Sequence, residues 1–185
     1  MTSLPGTKSN LPGIRLRSAT LDDAQMLWDL RMEPATRAAS QQDSDFSYPH
    51  HLKWLKHTLD SPTMAIFILQ NTNKVPVGYL RFHRKAAKHA YVSIAVNSKS
   101  RGKGIGTAAL VWGIRRLFRL WTVEKIVGLI KAENTASQLM VLKAGFTKVG
   151  KSQKSGQEIL RYEIVSPYLR SLPSSSKVKG SRNDR

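Results

Sequence analysis

The sequence predicts one mixed α/β domain, and three observations carry that expectation. Segments of strand length and alternation follow segments of helical period between residues 14 and 165. The strand-like stretch Ala90 to Asn97 runs into a glycine-rich turn, Arg101-Gly102-Lys103-Gly104-Ile105-Gly106, that opens a long helical segment. A chain of 185 residues with 41% apolar content has room for one substantial core and not for two.

Residues 1–13 carry two Pro-Gly breaks and little apolar content, so they read as a flexible leader. Ile14-Arg15-Leu16-Arg17 alternates as a half-buried strand. Thr20-Leu21-Asp22-Asp23 is a capping box that opens a helix with Ala24, Leu27, Trp28 and Arg31 on one face. Pro34 ends that helix, and polar residues 35–48 read as a loop suited to substrate contact. Ser47 caps a second helix, Tyr48 to Leu59, with Leu52, Leu55 and Leu59 as the core stripe and His51 and Trp54 together on a neighbouring face. Met64 to Leu69 and Val75 to His83 form a hairpin around Asn71 to Lys74. A turn at Lys85 to Lys88 leads into Tyr91 to Val96, whose β-branched content suits a central strand.

The helix from Ile105 turns Ala109, Leu110, Ile114, Leu117, Phe118 and Trp121 inward and Arg115, Arg116 and Arg119 outward. Lys125 to Lys131 is a buried strand. Asn134 or Thr135 starts a helix carrying Ala136, Leu139, Met140 and Ala144, closed by a left-handed Gly145 with Phe146 packing back. The domain ends in a hairpin, Phe146 to Gly150 and Glu158 to Val165, around a polar turn over residues 151–157. Residues 166–185 read as a disordered basic tail, with Lys177, Lys179, Arg182 and Arg185 behind Pro173-Ser174-Ser175-Ser176.

Thirty Lys and Arg against twelve Asp and Glu give a net charge of +18, a field that attracts nucleic acid, anionic lipid, nucleotide-linked substrates and CoA alike. The sequence has neither the aromatic motif of an RNA-recognition sheet nor zinc-finger spacing. Without cysteine there is no disulfide, thiolate metal site or Cys nucleophile, and five scattered histidines lead us to expect no metal. No run of 18 apolar residues and no apolar stretch behind a basic start is present, so a cytoplasmic protein is expected. Oligomeric state, monomer or homodimer, is open at this level.

Chemistry starts at the glycine turn. Gly102, Gly104 and Gly106 clear side chains from a strand-to-helix junction, so backbone N–H groups and the positive helix end can close on a pyrophosphate. The Gly-x-x-x-x-Gly-Lys-Ser/Thr run of nucleoside triphosphate sites is missing, and the glycine spacing is not that of the dinucleotide fingerprint. A tight connection without ligand is the alternative.

With Arg101, Gly104 and Gly106 in its three fixed places, the turn resembles the Arg/Gln-x-x-Gly-x-Gly/Ala motif of the GNAT acetyltransferase superfamily. Glu133-Asn134-Thr135-Ala136-Ser137 and Lys143-Ala144-Gly145-Phe146 are similar to that superfamily's downstream motifs. The resemblance, spanning about Ile14 to Val165, implies an acetyl-CoA-dependent N-acetyltransferase with a mixed, mostly antiparallel sheet whose two central parallel strands splay apart, flanked by helices. It implies that Arg101, Gly102, Lys103, Gly104, Ile105, Gly106 and Thr107 hold the acetyl-CoA pyrophosphate. Main-chain N–H groups of Ile94 and Val96 would meet the pantetheine and the thioester carbonyl, and Asn134 and Ser137 would line the cofactor arm. Where many members carry a proton-donating tyrosine, this chain has Val141, which leaves Ser137 or a water as acid.

Arg31-x-x-Pro34, His51-x-x-Trp54 and Val77-Gly78-Tyr79-Leu80-Arg81-Phe82 resemble the branch that acetylates nucleotide-linked amino sugars, a pattern shared with ribosomal-protein N-terminal acetyltransferases. By that resemblance His51 is the expected base, with Glu33 and Glu133 as further bases or amine anchors. A non-catalytic basic module on the same scaffold, binding nucleic acid, is the reading from another class.

Overall fold

The computed structural model describes residues 13–40, 47–86 and 88–166. The expected leader up to Pro12, the tail beyond Ser166 and part of the expected substrate loop lie outside them. Among the described residues seven strands form one sheet: β1 (Arg15–Ser18), β2 (Met64–Gln70), β3 (Pro76–Ala86), β4 (His89–Val96), β5 (Lys125–Lys131), β6 (Thr147–Lys154) and β7 (Gln157–Val165). Their order is β1-β2-β3-β4-β5-β7-β6, and every neighbouring pair is antiparallel except β4 and β5.

Both faces of this sheet are covered, which is why β2 is a continuous apolar run and not an alternating one. Ile66 and Ile68 face one way, into a cluster with Ala24, Leu27 and Leu55 of α1 (Ala24–Met32) and α3 (Tyr48–Leu59). Phe67 and Leu69 face the other way, into the larger core under α4 (Ile105–Leu120) and α5 (Thr135–Lys143). A Cβ at Gly113 of α4 would collide with Leu80, so this glycine lets the helix lie close on β3.

Several local expectations are corrected. Pro34 does end α1, but it also begins a further helix, α2 (Pro34–Ala39), inside the stretch read as loop. Its missing N–H costs nothing at a helix start. The capping box opens a 3₁₀ turn, Leu21–Asp23, that runs into α1, with the Asp23 carboxylate accepting the Thr20 N–H at 2.8 Å. Ser47 makes no side-chain cap on α3, since its Oγ meets His50 Nδ1 at 3.0 Å. The buried residues of α3 are His51, Leu55 and Thr58, and Leu52 is exposed.

In α5, Ala136 and Leu139 are exposed, and Val141 and Ala144 turn inward. The last hairpin turns over two residues only, Ser155 and Gly156, both at positive φ, so polar residues 151–154 belong to edge strand β6. At the other end of α5 the expectation holds: Gly145 has φ 95°, its N–H donates to Leu142 and that of Phe146 to Val141.

Candidate active site

The N-terminus of α4 offers open backbone donors, the arrangement that suits an anion. Gly102 and Gly104 sit at φ 75° and 74°, a region that costs other residues about 1–2 kcal/mol. A Cβ at either position would meet nothing within 4 Å, so backbone conformation alone demands glycine, and the space above the turn is open. Gly104 is the cap of α4, and among the described residues no side-chain hydrogen bond caps the first turn, which leaves the N–H groups of Ile105, Gly106 and Thr107 for an outside acceptor. Gly106 meets a second demand, because its Cβ would fall 2.5 Å from Met140 Sδ of α5. Lys103 turns its ammonium to the Lys99 carbonyl at 3.0 Å.

Beside this turn the sheet parts. β4 and β5 share only three rungs, His89 with Lys125, Ala90 with Ile126 and Tyr91 with Val127. On the other side of β4, the Asn97 N–H donates to Val77 at 2.8 Å. In a strand the N–H groups alternate sides, so those of Ile94 and Val96 point away from β3, into the gap. The Val96 carbonyl obeys the same parity and accepts Arg101 Nε at 2.8 Å. Next to it, the buried Oδ1 of Asn97 has no hydrogen-bond partner among the described residues.

The candidate side chains divide into three groups. Arg101 and Glu33 are joined: Arg101 Nη2 lies 2.7 Å from Glu33 Oε2 and 3.2 Å from Thr36 Oγ1, and Glu33 Oε1 accepts the Ser98 N–H at 3.4 Å. Glu33 is thereby a tie between the α1–α2 corner and the glycine turn. Across the gap, Asn134 caps α5 by accepting the Ser137 N–H at 3.0 Å, Ser137 is half-buried and Glu133 is exposed. Val141, at the position of the missing tyrosine, is packed into the core. Lys131, unremarked in the sequence, is buried and donates to the Ala38 carbonyl at 2.7 Å, pinning α2 over the sheet.

His51 stands apart from both, on the α1–α3 face. Its Nε2 lies 3.0 Å from the Ala24 carbonyl, which can only accept, so Nε2 carries the proton and Nδ1 is the basic atom. Trp28, Tyr48 and Trp54 surround the ring at centroid distances of 5.4, 6.2 and 5.6 Å. Burial pushes the imidazole below its ordinary pKa, and the Arg31 charge acts in the same direction, against the Ala24 hydrogen bond. The pocket beside it is walled by Leu27 and Arg31 of α1, Trp54 of α3, Ile66 of β2 and Tyr79 and Arg81 of β3. Nothing in the sequence spacing of Arg31 and Arg81 shows that they converge.

A glycine turn opening a helix beside two parted parallel strands is also the arrangement of a known family. The sequence matches the family model of an acetyltransferase (GNAT) domain over residues 14–147. The chain belongs to the GNAT acetyltransferase family. No curated protein matches it in sequence. Among solved structures, the GNAT fold seen here is similar to spermidine N-acetyltransferase from Vibrio cholerae in complex with CoA and spermine. TM-score is 0.76 and identity 15%, over 83% of this chain and 95% of that one. It is also similar to the aminoglycoside acetyltransferase AAC(6′)-Ib in complex with coenzyme A, with TM-score 0.71 and 18% identity over 85% and 98% of the two chains. Such identities speak to the fold, and the family match makes this chain an acyltransferase with acetyl-CoA as co-substrate. Among the described residues, no helix is long and apolar enough to cross a membrane.

Proposed function

We propose that this GNAT enzyme acetylates the primary amine of a nucleotide-linked amino sugar. The observation that carries the transfer reaction is the parting of β4 from β5 after Tyr91 and Val127, directly before the uncapped first turn of α4. Acetyl-CoA supplies an activated acetyl thioester. The residues of this chain fit it: Gly102 and Gly104 leave the approach open, the N–H groups of Ile105 to Thr107 would take the pyrophosphate, and those of Ile94 and Val96 would take the pantetheine and the thioester oxygen.

Transfer forms a C–N bond and breaks a C–S bond. The amine gives up one proton, and the departing thiolate takes one. His51 Nδ1, directly or through a water, is the proposed acceptor of the first, because burial keeps the ring neutral at pH 7. Ser137 or solvent would supply the second. An excess of cationic residues across the domain favours an acceptor that carries phosphate.

The test is thermal stabilisation and transfer with acetyl-CoA against a panel of amino-sugar nucleotides, N-terminal peptides and free polyamines. Stabilisation by acetyl-CoA together with transfer to an amino-sugar nucleotide is the expected result. Transfer confined to peptides would replace this acceptor with a protein N-terminus.

A further inference from the structure

We propose that the outward face of α4 is a docking surface for single-stranded nucleic acid, holding phosphates with Arg115, Arg116 and Arg119 and stacking a base on Trp112. This surface is separate from the transfer site and does not depend on which amine the enzyme acetylates.

Charge distribution along the chain comes first. Between Asp60 and Glu124 the sequence carries eleven Lys and Arg and no Asp or Glu. That stretch comprises β2, β3, β4, the glycine turn and α4, and the fold packs these elements on one another: Phe67 of β2, Leu80 and Phe82 of β3, and Leu110, Ile114 and Leu117 of α4 share one core. A surface built from them has cations and no carboxylate of its own. Glu124, where the acid-free stretch ends, is paired with Lys88.

The helix then concentrates the charge. Residues 112, 115, 116 and 119 fall within an arc of about 100° on the side away from the core, over a rise of about 10 Å. All four are exposed, Trp112 to 47%. Among the described residues neither Arg115 nor Arg119 forms an ion pair. Arg116 lies over the Phe67 ring at 5.3 Å from its centre, and Arg84, from the end of β3, lies over the Trp121 ring at 5.4 Å. These contacts orient two guanidinium groups without neutralising them. The helix dipole favours a cation near the C-terminus and so accounts for Arg119. It gives no reason for a half-exposed tryptophan beside three arginines.

Ligand chemistry follows from this set. A nucleic acid strand offers a phosphate every ~3.4 Å, so several fall within reach of three arginines that span about 10 Å. Guanidinium groups take phosphate oxygens in pairs. The exposed indole offers its face to an unpaired base, which a duplex keeps inside its own stack. A lipid surface fits less well. The apolar side of α4 is already buried in the core, and the large apolar side chains that the helix exposes are Trp112 and Leu120, whereas an interfacial helix inserts a whole apolar face. Arg115 lies about 15 Å along α4 from Ile105, so the glycine turn and this face can be occupied together.

The test uses the full chain saturated with acetyl-CoA, so that the glycine turn is not available to phosphate. Anisotropy of fluorescein-labelled oligouridylate and oligothymidylate, each about twelve nucleotides long, reports binding, and their ratio separates RNA from DNA. Both should bind, with log affinity falling against log salt at a slope of about −2, as three phosphate contacts require. Arg115→Gln combined with Arg119→Gln should weaken binding by about tenfold or more at low salt and make the slope shallower by about 1.4. Trp112→Ala should weaken binding by about tenfold at an unchanged slope, and Trp112→Phe, which keeps a ring, should lose less. Lys148→Gln combined with Lys154→Gln removes the same charge from β6, at the far edge of the sheet, and should change affinity by less than about twofold. Every variant should keep the wild-type KM for acetyl-CoA, which shows that it is folded. Equal losses from the α4 pair and the β6 pair would make binding a property of net charge and overturn the proposal. So would a duplex that binds more tightly than the strand, or displacement of the strand by phosphatidylcholine–phosphatidylserine vesicles at the same ionic strength, which would give the face to a lipid surface.

Discussion

The Arg101 guanidinium meets the Glu33 carboxylate at 2.7 Å, tying the turn that opens α4 to the corner between α1 and α2. Through this pair the glycine turn and the α1–α2 corner are held in one arrangement. Arg101 thus fixes the backbone of the glycine turn, with the guanidinium occupied at Glu33, Thr36 and the Val96 carbonyl.

Glu33→Gln keeps the shape and removes the charge. The pair is partly exposed, so stability should change by no more than about 1 kcal/mol. We expect KM for acetyl-CoA to rise severalfold and kcat to change less than ~10-fold. A fall in kcat of roughly 10²-fold at unchanged KM would make Glu33 a proton acceptor. Steady-state kinetics and thermal melts check both.

Gly104 and Gly106 should respond differently to alanine. At Gly104 the new methyl meets no atom but the backbone is left-handed, so the cost is about 1–2 kcal/mol, with weakened acetyl-CoA binding. At Gly106 the methyl would press on Met140, an overpacking cost of about 1–3 kcal/mol. The Gly106→Ala and Met140→Ala double variant should recover part of that loss, and the Met140 change should do nothing for Gly104→Ala. Denaturation curves over both cycles measure the coupling.

His51→Gln followed across pH tests the proposed base. Because burial lowers the imidazole pKa, the acidic limb of the rate should lie below about 6.5, the value of a free histidine. The variant should lose roughly 10²-fold in turnover and that limb, with acetyl-CoA affinity intact. Stability carries the same signature. The unfolded chain binds the proton more readily than the folded one, so the contribution of neutral His51 is complete above about pH 6.5 and declines as pH falls. His83, also lowered by burial, acts in the same direction, so the variant should show a shallower slope and not a flat one.

Asn134 separates capping from cofactor contact. Asn134→Ala loses the bond to the Ser137 N–H and should cost about 1 kcal/mol. Asn134→Asp keeps an accepting oxygen and should retain stability. If the amide NH₂ touches acetyl-CoA, the Asp variant will bind it more weakly. Equal affinities for the wild type and the Asp variant would confine Asn134 to the helix.

The order of elements was legible wherever period and burial coincide. Lys125 to Lys131 is the strand that its apolar run announces, and α4 turns Arg115, Arg116 and Arg119 outward as its amphipathic pattern requires. What escaped had no such signal. Pro34 ends one helix and starts the next, and only the start of α2 in the fold distinguishes these roles. The second half of strand β6, residues 151–154, is exposed at the sheet edge, so its pairing with β7 comes from the backbone ladder and leaves no apolar alternation to read.

By itself the sequence determined the glycine turn at the start of α4, because glycine at positive φ is a property of single residues and of their distance from a helix start. Tertiary structure decided the rest of the site. Register against β3 aims the N–H groups of Ile94 and Val96 into the gap, and that depends on which strand pairs with which, not on apolar side chains that any core strand carries. Arg31, His51 and Arg81 lie on three elements, and each alone reads as an ordinary polar residue. Their convergence follows from α1 and α3 packing on β2 and β3, which brings the charges together within one half-buried pocket.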